Sequence, residues 1–348
     1  MTSLDESLDL AAVAELLSMA STIADGEAVA LVDHEGRLLA GRAPSIHTRR
    51  TRPITRNGAP IAAIAGTNVV PRALLELVAR SLELLLVDAE ARTARARIAQ
   101  ELAIGHRIQL SLVPQRFPQV PGWDLAAAYE PALEVGGDLY DAFLVRGQPD
   151  LLGLLVADVT GKGIPAALLM ADVRALLHAA TDSSPGPAEA LTRVNRILVH
   201  ERATALMVTA VLLVVDTTTG MVRYSGAGHE PALVARASGG IEPFEACGFI
   251  LGLSGASEFL EQEAQLLPGD ALVLYTDGIT DARNRDRSFY GEQRLREIVL
   301  GACGQSAQAI VRTITDDVHA FQGDADPFDD LTLLVAERAR LPRSRRQS

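Results

Sequence analysis

Carboxylates stand beside apolar runs at several points in the C-terminal two-thirds of the chain. Asp158 ends the run LLGLLVA, and Asp277 follows the run ALVLYT. Asp329 and Asp330 come directly before LTLLVAE, and Asp138 follows a pair of glycines at the start of another predicted strand. A carboxylate at the end of a buried strand is unfavourable unless it is paired or bound to a metal ion. No arginine lies next to these residues in sequence to act as a partner.

Oxygen ligands of this kind, without histidine or cysteine among them, suit Mg²⁺ or Mn²⁺. Two such ions held close together activate a water molecule and polarise a phosphoryl oxygen, so the pattern indicates phosphoryl hydrolysis. Aspartate at a strand end is also a common turn residue. That alternative explains one such aspartate more easily than several in one domain.

Two other phosphate-binding signatures are incomplete. Residues 160–163, TGKG, lack the upstream glycine spacing and the following Ser or Thr of a Walker A loop. Residues 136–138, GGD, are followed by Leu139 and Tyr140 rather than by the acidic and aromatic pair of a diguanylate cyclase. Lys162 is therefore assigned to the loop that enters the next helix, with a phosphate contact as the alternative.

The charge of the chain is concentrated where the aspartates lie. Its 348 residues include 32 basic and 44 acidic side chains, for a net charge of −12, and Lys162 is the only lysine. Residues 1–116 have a net charge of 0, residues 117–337 of −17 and residues 338–348 of +5. This balance argues against nucleic-acid binding by general electrostatic attraction. The acidic region is either a solvated surface or a set of carboxylates that bind cations.

Cysteine usage and hydropathy predict a cytoplasmic protein without a membrane span. Cys247 and Cys303 are too few for a disulfide framework and lack metal-motif spacing, so we expect free thiols in a reducing compartment. The first residues, MTSLDESLDL, carry no signal-peptide pattern. The longest largely apolar run, residues 205–215, is too short to cross a membrane.

Residues 1–71 are predicted to form a small α+β domain. Residues 8–20 have helical periodicity, residues 27–40 indicate a hairpin, and Asn57-Gly58 is the turn of a second strand pair. The order of elements is similar to that of the PAS and GAF sensory folds, and a scaffold that binds no ligand is the alternative. The basic stretch at 47–56 either binds an anion or is a solvated face.

Residues 72–113 are predicted to form one long linker helix. Its apolar residues fall on one stripe, which includes Leu74, Leu77, Val78, Leu82 and Leu85 and continues less regularly through Ile98, Leu102, Ile108 and Leu112. A helix cannot bury such a stripe alone, so it packs on a domain or pairs with a second copy. We expect a parallel homodimer through this helix, which joins the two domains.

From residue 114 to residue 337 strands and helices alternate, and many strands are joined directly as hairpins. The sheet is therefore predicted to be largely antiparallel with helices outside it. The predicted strands are 123–130, 138–145, 151–159, 205–215, 221–227, 232–235, 271–276 and 331–336, and the predicted helices are 164–180, 187–202, 293–300 and 307–321. The arginine-rich tail, residues 338–348, is expected to be disordered.

The region from 114 to 337 resembles the PPM (PP2C-like) serine/threonine phosphatase family in its bacterial SpoIIE/RsbU branch. The matching stretches are VGGDLYD (135–141), VADVTGKG (156–163), GAGHEP (226–231), LPGDALVLYTDGITDA (267–282) and FDDLTLLV (328–335). Each is weakly specific alone, but together they occur in family order and cover nearly the whole domain.

This resemblance implies an α+β fold, an αββα sandwich of two antiparallel sheets flanked by helices. It implies that Asp138, Asp158, Asp277 and Asp329 bind two Mn²⁺ or Mg²⁺ ions together with the main-chain carbonyl of Val159. The reaction implied is hydrolysis of phosphoserine or phosphothreonine by metal-activated water. The implied substrate is a phosphorylated STAS-domain protein, an anti-sigma factor antagonist, and the implied control comes from the N-terminal domain.

The rival hypothesis is a non-catalytic regulator that uses the phosphatase fold to bind a signalling partner. It predicts missing ligands, whereas all four carboxylates are present. The stretch CGFILGL (247–253) departs from the usual Gly-x-Pro-Leu-Gly turn of the family. His229 is expected to be a turn and packing residue rather than a general acid. Tyr140 and Asp141 are expected at the rim of the site, with a water-mediated metal contact of Asp141 as the alternative.

Overall fold

The computed structural model describes residues 10–33, 35, 37–44, 49–56, 59–200, 206–245 and 248–340. The chain divides into two compact units, Met1–Glu101 and Leu102–Ser348. Cys247, the predicted turn at Asn57-Gly58 and the tail after residue 340 lie outside the described residues.

The first unit is a four-stranded antiparallel sheet covered on one face by helices. Its elements are α1 (Leu10–Ile23), β1 (Val29–Asp33), β2 (Leu38–Gly41), β3 (Arg49–Arg56), β4 (Ala59–Thr67) and the start of α2 (Arg72–Leu112). The strand order is β2-β1-β4-β3. Leu17 of α1, Ile64 of β4 and Leu82 of α2 are fully buried in the same apolar cluster. The sheet and both helices therefore share one small core.

The helix α2 covers residues 72–112 as predicted, but its buried face differs from the predicted stripe. Leu77 is 61% exposed, and Leu85 also lies at the surface. Leu75, Ala79 and Leu86 are buried instead, beside the correctly predicted positions 74, 78 and 82. Because 3.6 residues make one turn, a contact face that includes both 74 and 75 selects 78, 79, 82 and 86 further along the helix.

Two arginines of the basic stretch on β3 form ion pairs with acidic residues of α2. Arg52 donates a hydrogen bond to Glu76 at 2.9 Å, and Arg56 lies 2.6 Å from Glu90. Exposed ion pairs of this kind contribute little to stability. They do supply local counter-charges, which favours a solvated face over an anion-binding site.

The second unit contains two five-stranded antiparallel sheets. The first has the order β11-β10-β13-β14-β5 and the second the order β12-β9-β8-β7-β6. The strands are β5 (Trp123–Glu130), β6 (Leu139–Leu144), β7 (Leu151–Val159), β8 (Val208–Asp216), β9 (Met221–Ala227), β10 (Ala232–Ala235), β11 (Ile241–Phe244), β12 (Gln262–Gln265), β13 (Ala271–Tyr275) and β14 (Leu331–Arg338). The helices are α3 (Ile164–Ser183), α4 (Pro187–His200), α5 (Asp277–Thr280), α6 (Glu292–Ala302) and α7 (Ala307–Gln322).

Three apolar layers hold this unit together. Leu154 and Leu213 of the second sheet meet Leu274 and Leu334 of the first between the sheets. The outer face of the first sheet packs on α6 and α7, and the outer face of the second packs on α3 and α4. Alternating strand residues thus face the inner layer or an outer one. The predicted αββα sandwich is confirmed.

Two edge strands, β11 and β12, and the short helix α5 were not expected from the sequence pattern. The segment QEAQ of β12 has no apolar alternation, and it is a strand because its residues pair with β9, Gln262 opposite Tyr224. At the other end, β14 continues past the predicted boundary to Arg338. The guanidinium of Arg338 donates to the carbonyls of Leu266 and Thr219 at 2.6 and 2.8 Å, which fixes the end of the strand.

By length and composition α3 is the one helix in the described ranges that could cross a membrane. Met170, Val173 and Leu177 of this helix are fully buried in the layer against the second sheet. Its apolar character therefore has a direct explanation in the packing of the domain.

Candidate active site

The predicted ligands come from both sheets and lie at one end of the sandwich. Asp158 is the penultimate residue of strand β7. Asp138 directly precedes the neighbouring strand β6, in which Leu139 pairs with Ala157. In the other sheet Asp277 begins α5 just after β13, and Asp329 lies just before β14. Because β13 and β14 are antiparallel neighbours, the last residues of β13 and the first residues of β14 lie at the same end of the sheet.

Asp138 is buried, and hydroxyl groups hold one of its oxygens. Thr276 and Thr332 donate hydrogen bonds to its Oδ2 at 2.7 and 2.5 Å. Burial and the neighbouring Asp158 raise the pKa of Asp138 well above its usual range, against the two hydroxyl bonds. A buried carboxyl with a negative neighbour keeps its proton unless a cation replaces it.

Gly137 brings the Asp138 loop against the end of β7. A Cβ added to Gly137 would lie 2.8 Å from the carbonyl oxygen of Val159 and 3.5 Å from Oδ1 of Asp158. The amide of Val159 donates to the carbonyl of Gly137 at 3.4 Å. The small residue therefore lets two carboxylates and one main-chain carbonyl face the same space.

Burial and repulsion between neighbouring carboxylates raise the pKa values of Asp158 and Asp277. Burial, with the charge of Asp277, raises the pKa of Asp158 to about 6, while a hydrogen bond from Asp138 acts in the opposite direction. Burial and the charge of Asp329 raise the pKa of Asp277. The four predicted ligands thus form one electrostatically coupled group, which a bound cation would stabilise.

Lys162 supplies a positive charge beside this group. Its Nζ lies 3.0 Å from Oδ2 of Asp329 and donates to the carbonyl of Phe328 at 2.5 Å. The sequence pattern did not predict this ion pair, because Lys162 lies 166 residues before Phe328, the residue that precedes Asp329. The loop TGKG therefore contacts the segment that carries Asp329.

Asp330 differs in role from Asp329. Its Oδ1 accepts from the amide of Ala132 at 2.8 Å, and its Oδ2 accepts from the amide of Gly137 at 2.6 Å. Both oxygens are therefore used to hold the loop before Asp138. The carbonyl oxygen of Asp330 lies so close to Gly278 that a Cβ at that position would overlap it.

His229 links the two sheets as a neutral residue. Its Nε2 donates to the carbonyl of Tyr275 at 3.0 Å, so its Nδ1 accepts from the hydroxyl of Thr209 at 2.7 Å. Burial lowers the pKa of His229 to about 4. These contacts support the packing role expected from the sequence rather than proton transfer.

Asp141 faces helix α3, where it has two basic partners. Its Oδ2 lies 2.7 Å from Nε of Arg174 and 2.7 Å from Nε2 of His178. The ring of His178 stacks on Phe143 with centroids 3.7 Å apart. Both contacts are made by Oδ2, and the water-mediated metal contact of Asp141 stays a prediction.

The donor set fits divalent cations in charge and chemistry. It consists of carboxylate and carbonyl oxygens; the pKa values of Asp138, Asp158 and Asp277 are raised, and Lys162 pairs with Asp329. Within the described ranges, no three His, Cys, Asp or Glu side chains are already converged on a single point. The assignment of these residues to a divalent-cation site therefore rests on the coupled charges of the carboxylates and on the space that Gly137 leaves beside Asp158 and Val159.

Sequence comparison places this architecture among phosphatases. The sequence profile described as Stage II sporulation protein E (SpoIIE) matches residues 148–339. The phosphoserine phosphatase RsbU of Bacillus subtilis is 28% identical over 248 residues, which cover 71% of this chain and 72% of that protein. Protein IcfG of Synechocystis is 30% identical over 265 residues, which cover 68% of this chain but only 41% of IcfG.

Solved structures show the same fold. The PP2C domain of SiaA from Pseudomonas aeruginosa has a TM-score of 0.64 at 23% identity and covers 71% of this chain and 99% of its own. The RsbU and RsbW domains of Rv1364c from Mycobacterium tuberculosis give a TM-score of 0.57 at 30% identity, with 66% and 64% covered. The fold and these similarities thus define a phosphatase domain of the PP2C type. The chain belongs to the SpoIIE family.

Proposed function

We propose that this chain is a metal-dependent protein serine/threonine phosphatase. Its metal ligands are Asp138, Asp158, Asp277, Asp329 and the main-chain carbonyl of Val159. The observation that carries this proposal is that carboxylates from both sheets, Asp138 and Asp158 on one and Asp277 on the other, are largely buried near one another, and burial together with the neighbouring negative charges raises their pKa values. Such an arrangement is costly for the fold alone and is typical of a functional site.

When bound, two Mn²⁺ or Mg²⁺ ions supply an activated water and an electrophilic contact to the phosphoryl group. The residues of this chain position those ligands. Thr276 and Thr332 fix Asp138, and Lys162 holds Asp329 through its ion pair. Asp330 fixes the loop that precedes Asp138. Side-chain orientation by such neighbours is what gives a metal site its geometry before the ion arrives.

The substrate is proposed to be a phosphorylated STAS-domain protein, an anti-sigma factor antagonist. The support is the similarity to RsbU and to RsbP, both described as phosphoserine phosphatases of Bacillus subtilis. Control by the N-terminal unit and a homodimer through α2 are part of the same proposal. Their support is the length of α2 and the exposed apolar residues along it, Leu84, Val87, Ile98 and Ile108. The cytoplasmic location stays a prediction.

The test is phosphate release from phosphoserine proteins and peptides by the full chain, with and without Mn²⁺. We expect activity that depends on the metal and falls by at least about 100-fold in Asp158→Asn and Asp277→Asn. The matched control is Asp316→Asn, since Asp316 is an exposed residue of α7. Full activity in both site variants would refute the ligand assignment. Tight binding of a phosphoprotein without any hydrolysis would favour the non-catalytic regulator.

A further inference from the structure

A guanidinium group without a carboxylate partner lies close to the aspartates. The Cζ atom of Arg283 is 3.6 Å from the ring centroid of Phe328 and 4.7 Å from that of Phe289. Its Nε is shielded from solvent and has no hydrogen-bond partner. Among the described residues no acidic side chain forms an ion pair with Arg283. Two aromatic contacts therefore hold this cation in place and leave its charge unneutralised.

Neighbouring cations are paired, which sets Arg283 apart from them. Arg285 forms an ion pair with Asp324, and Arg294 pairs with Asp317 at 2.8 Å. Lys162 pairs with Asp329. The region from 117 to 337 has a net charge of −17, so acidic partners are plentiful. The lack of one at Arg283 leaves its guanidinium donors available to an anion from outside the chain.

The backbone at Arg283 is held on both sides. The amide of Tyr290 donates to the carbonyl of Ala282 at 2.8 Å, and the amide of Asn284 donates to the carbonyl of Ser288 at 3.2 Å. Arg283 and Phe289 also form an antiparallel bridge. The side chain therefore starts from an ordered hairpin, and little conformational entropy remains to be lost when an anion binds.

Phe328 connects this group to the candidate site. It directly precedes Asp329, and the Nζ atom of Lys162 lies 5.2 Å from the centroid of the same ring. Phe328 is 42% exposed and Phe289 is 54% exposed. Arg283 and the two rings therefore form a cationic platform that reaches the surface beside a proposed metal ligand.

We propose that Arg283 binds an oxyanion of the phosphoprotein substrate. The oxyanion is either a phosphoryl oxygen or a carboxylate close to the phosphoserine, since a planar guanidinium fork recognises both. Phe328 and Phe289 keep the fork in the orientation that binds. This inference rests on the proposed phosphatase function and names a residue that the sequence analysis did not single out.

The test uses the full chain with Mn²⁺ and three substrates. These are p-nitrophenyl phosphate, a phosphoserine peptide with acidic flanking residues and the same peptide with neutral flanks. For Arg283→Met we expect KM to rise about tenfold, or about 1.4 kcal/mol, on at least one substrate while kcat stays within about threefold. Arg283→Lys keeps the charge but loses the planar guanidinium fork, so its KM should lie between that of the wild type and that of Arg283→Met. Arg285→Met, in the same hairpin, is the matched control with unchanged KM.

The three substrates identify the source of the oxyanion. A higher KM for p-nitrophenyl phosphate indicates a phosphoryl contact, whereas a higher KM for the acidic peptide alone indicates a carboxylate. If KM of Arg283→Met stays within about threefold of the wild-type value on all three, the inference is overturned. Wild-type protein that hydrolyses none of them contradicts the proposed function instead. Should Arg283→Met fail to fold, Phe289→Leu and Arg283→Lys carry the test, with KM expected to rise more than about threefold.

Discussion

The hydroxyl of Thr332 donates a 2.5 Å hydrogen bond to Oδ2 of Asp138, a residue 194 positions away in the sequence. Thr332 belongs to β14 of the first sheet, and Asp138 leads into β6 of the second. Thr276 donates to the same oxygen and accepts from the amide of Thr332 at 3.2 Å. The two sheets are thus joined by hydrogen bonds at Asp138, a proposed metal ligand, so we expect a change in the first sheet to affect the position of this carboxylate.

Thr332→Val should weaken both the fold and the cation site. Valine keeps the shape and strand preference of threonine but cannot donate to Asp138, which leaves a buried carboxyl short of one bond. We expect the free energy of unfolding to fall by about 1–3 kcal/mol and the half-saturating Mn²⁺ concentration to rise severalfold. Urea denaturation and a Mn²⁺ titration measure these effects. Thr315→Val is the control, because the hydroxyl of this half-buried residue of α7 donates to the carbonyl of Arg312 in the same helix. Equal behaviour of the two variants would contradict this role for Thr332.

Asp158→Asn should stabilise the metal-free chain at neutral pH. Because the pKa of Asp158 is raised to about 6 in the folded protein, the native state binds more protons than the unfolded state between about pH 4 and pH 6. Stability from this group therefore falls as pH rises through that range. The variant lacks the repulsion and should gain about 1–2 kcal/mol at pH 7 after allowance for solvent screening.

The same variant should show little gain at pH 4, where the wild-type carboxyl is protonated as well. Thermal unfolding in the presence of a chelator measures the difference at both pH values. Asp316→Asn is the matched control and should show no gain at either. A destabilised Asp158→Asn at pH 7 would mean that the carboxylate is favourable to the metal-free fold.

The wild-type protein should lose stability as the pH falls because of His229, and His229→Gln should lack this loss. The pKa of His229 is lowered to about 4, so between about pH 6.5 and pH 4 the unfolded state binds more protons than the native state. Stability from this group is present above pH 6.5 and is lost as pH falls. From pH 7.5 to pH 5 the wild type should lose about 2 kcal/mol more than the variant. Because Asp158 acts in the opposite direction over part of this range, only the comparison between variants isolates the histidine.

Gly278→Ala should lower the free energy of unfolding, whereas Gly301→Ala should raise it. A methyl group at Gly278 would overlap the carbonyl oxygen of Asp330, so the start of β14 must move, at a cost of about 1–3 kcal/mol. At Gly301, within α6, a Cβ has open space, and alanine should add about 0.5–1 kcal/mol through helix propensity. Denaturation curves of the two variants decide this. Two variants of equal stability would show that the contact at Gly278 is relaxed in solution.

The inner strands and the helices of the second unit could be predicted because their apolar pattern is local. β7 matches its predicted bounds, since a strand buried on both faces has a nearly continuous apolar sequence. β12 could not be found in this way, because its pairing with β9 and not its own composition makes it a strand. The predicted buried stripe of α2 was partly wrong, since Leu77 and Leu85 are exposed. The spacing of apolar residues identifies one side of a helix but does not determine which of those residues contact the sheet.

The partners of the site residues were harder to predict than the residues themselves. The aspartates carry a local signal, a carboxylate beside an apolar run. The pairing of Lys162 with Asp329 and of Asp141 with Arg174 depends on segments far apart in the chain. Arg283 gave no signal at all, since its neighbours Phe289 and Phe328 are brought to it only by folding.

The adjacent residues Asp329 and Asp330 have different partners, and this difference decides which variant is suited to isolating the physiological substrate. Asp330 holds two main-chain amides, so its removal should unsettle the loop and yield a poorly folded protein. Asp329 pairs with Lys162, and among the residues that the structure describes it accepts a hydrogen bond from no amide except that of Asp330. Asp329→Asn is therefore the better variant for capturing the substrate. We expect it to keep its fold and the platform of Arg283, Phe289 and Phe328 but to hydrolyse the phosphoprotein slowly. The bound phosphoprotein should then stay in the complex long enough for the two to be isolated together.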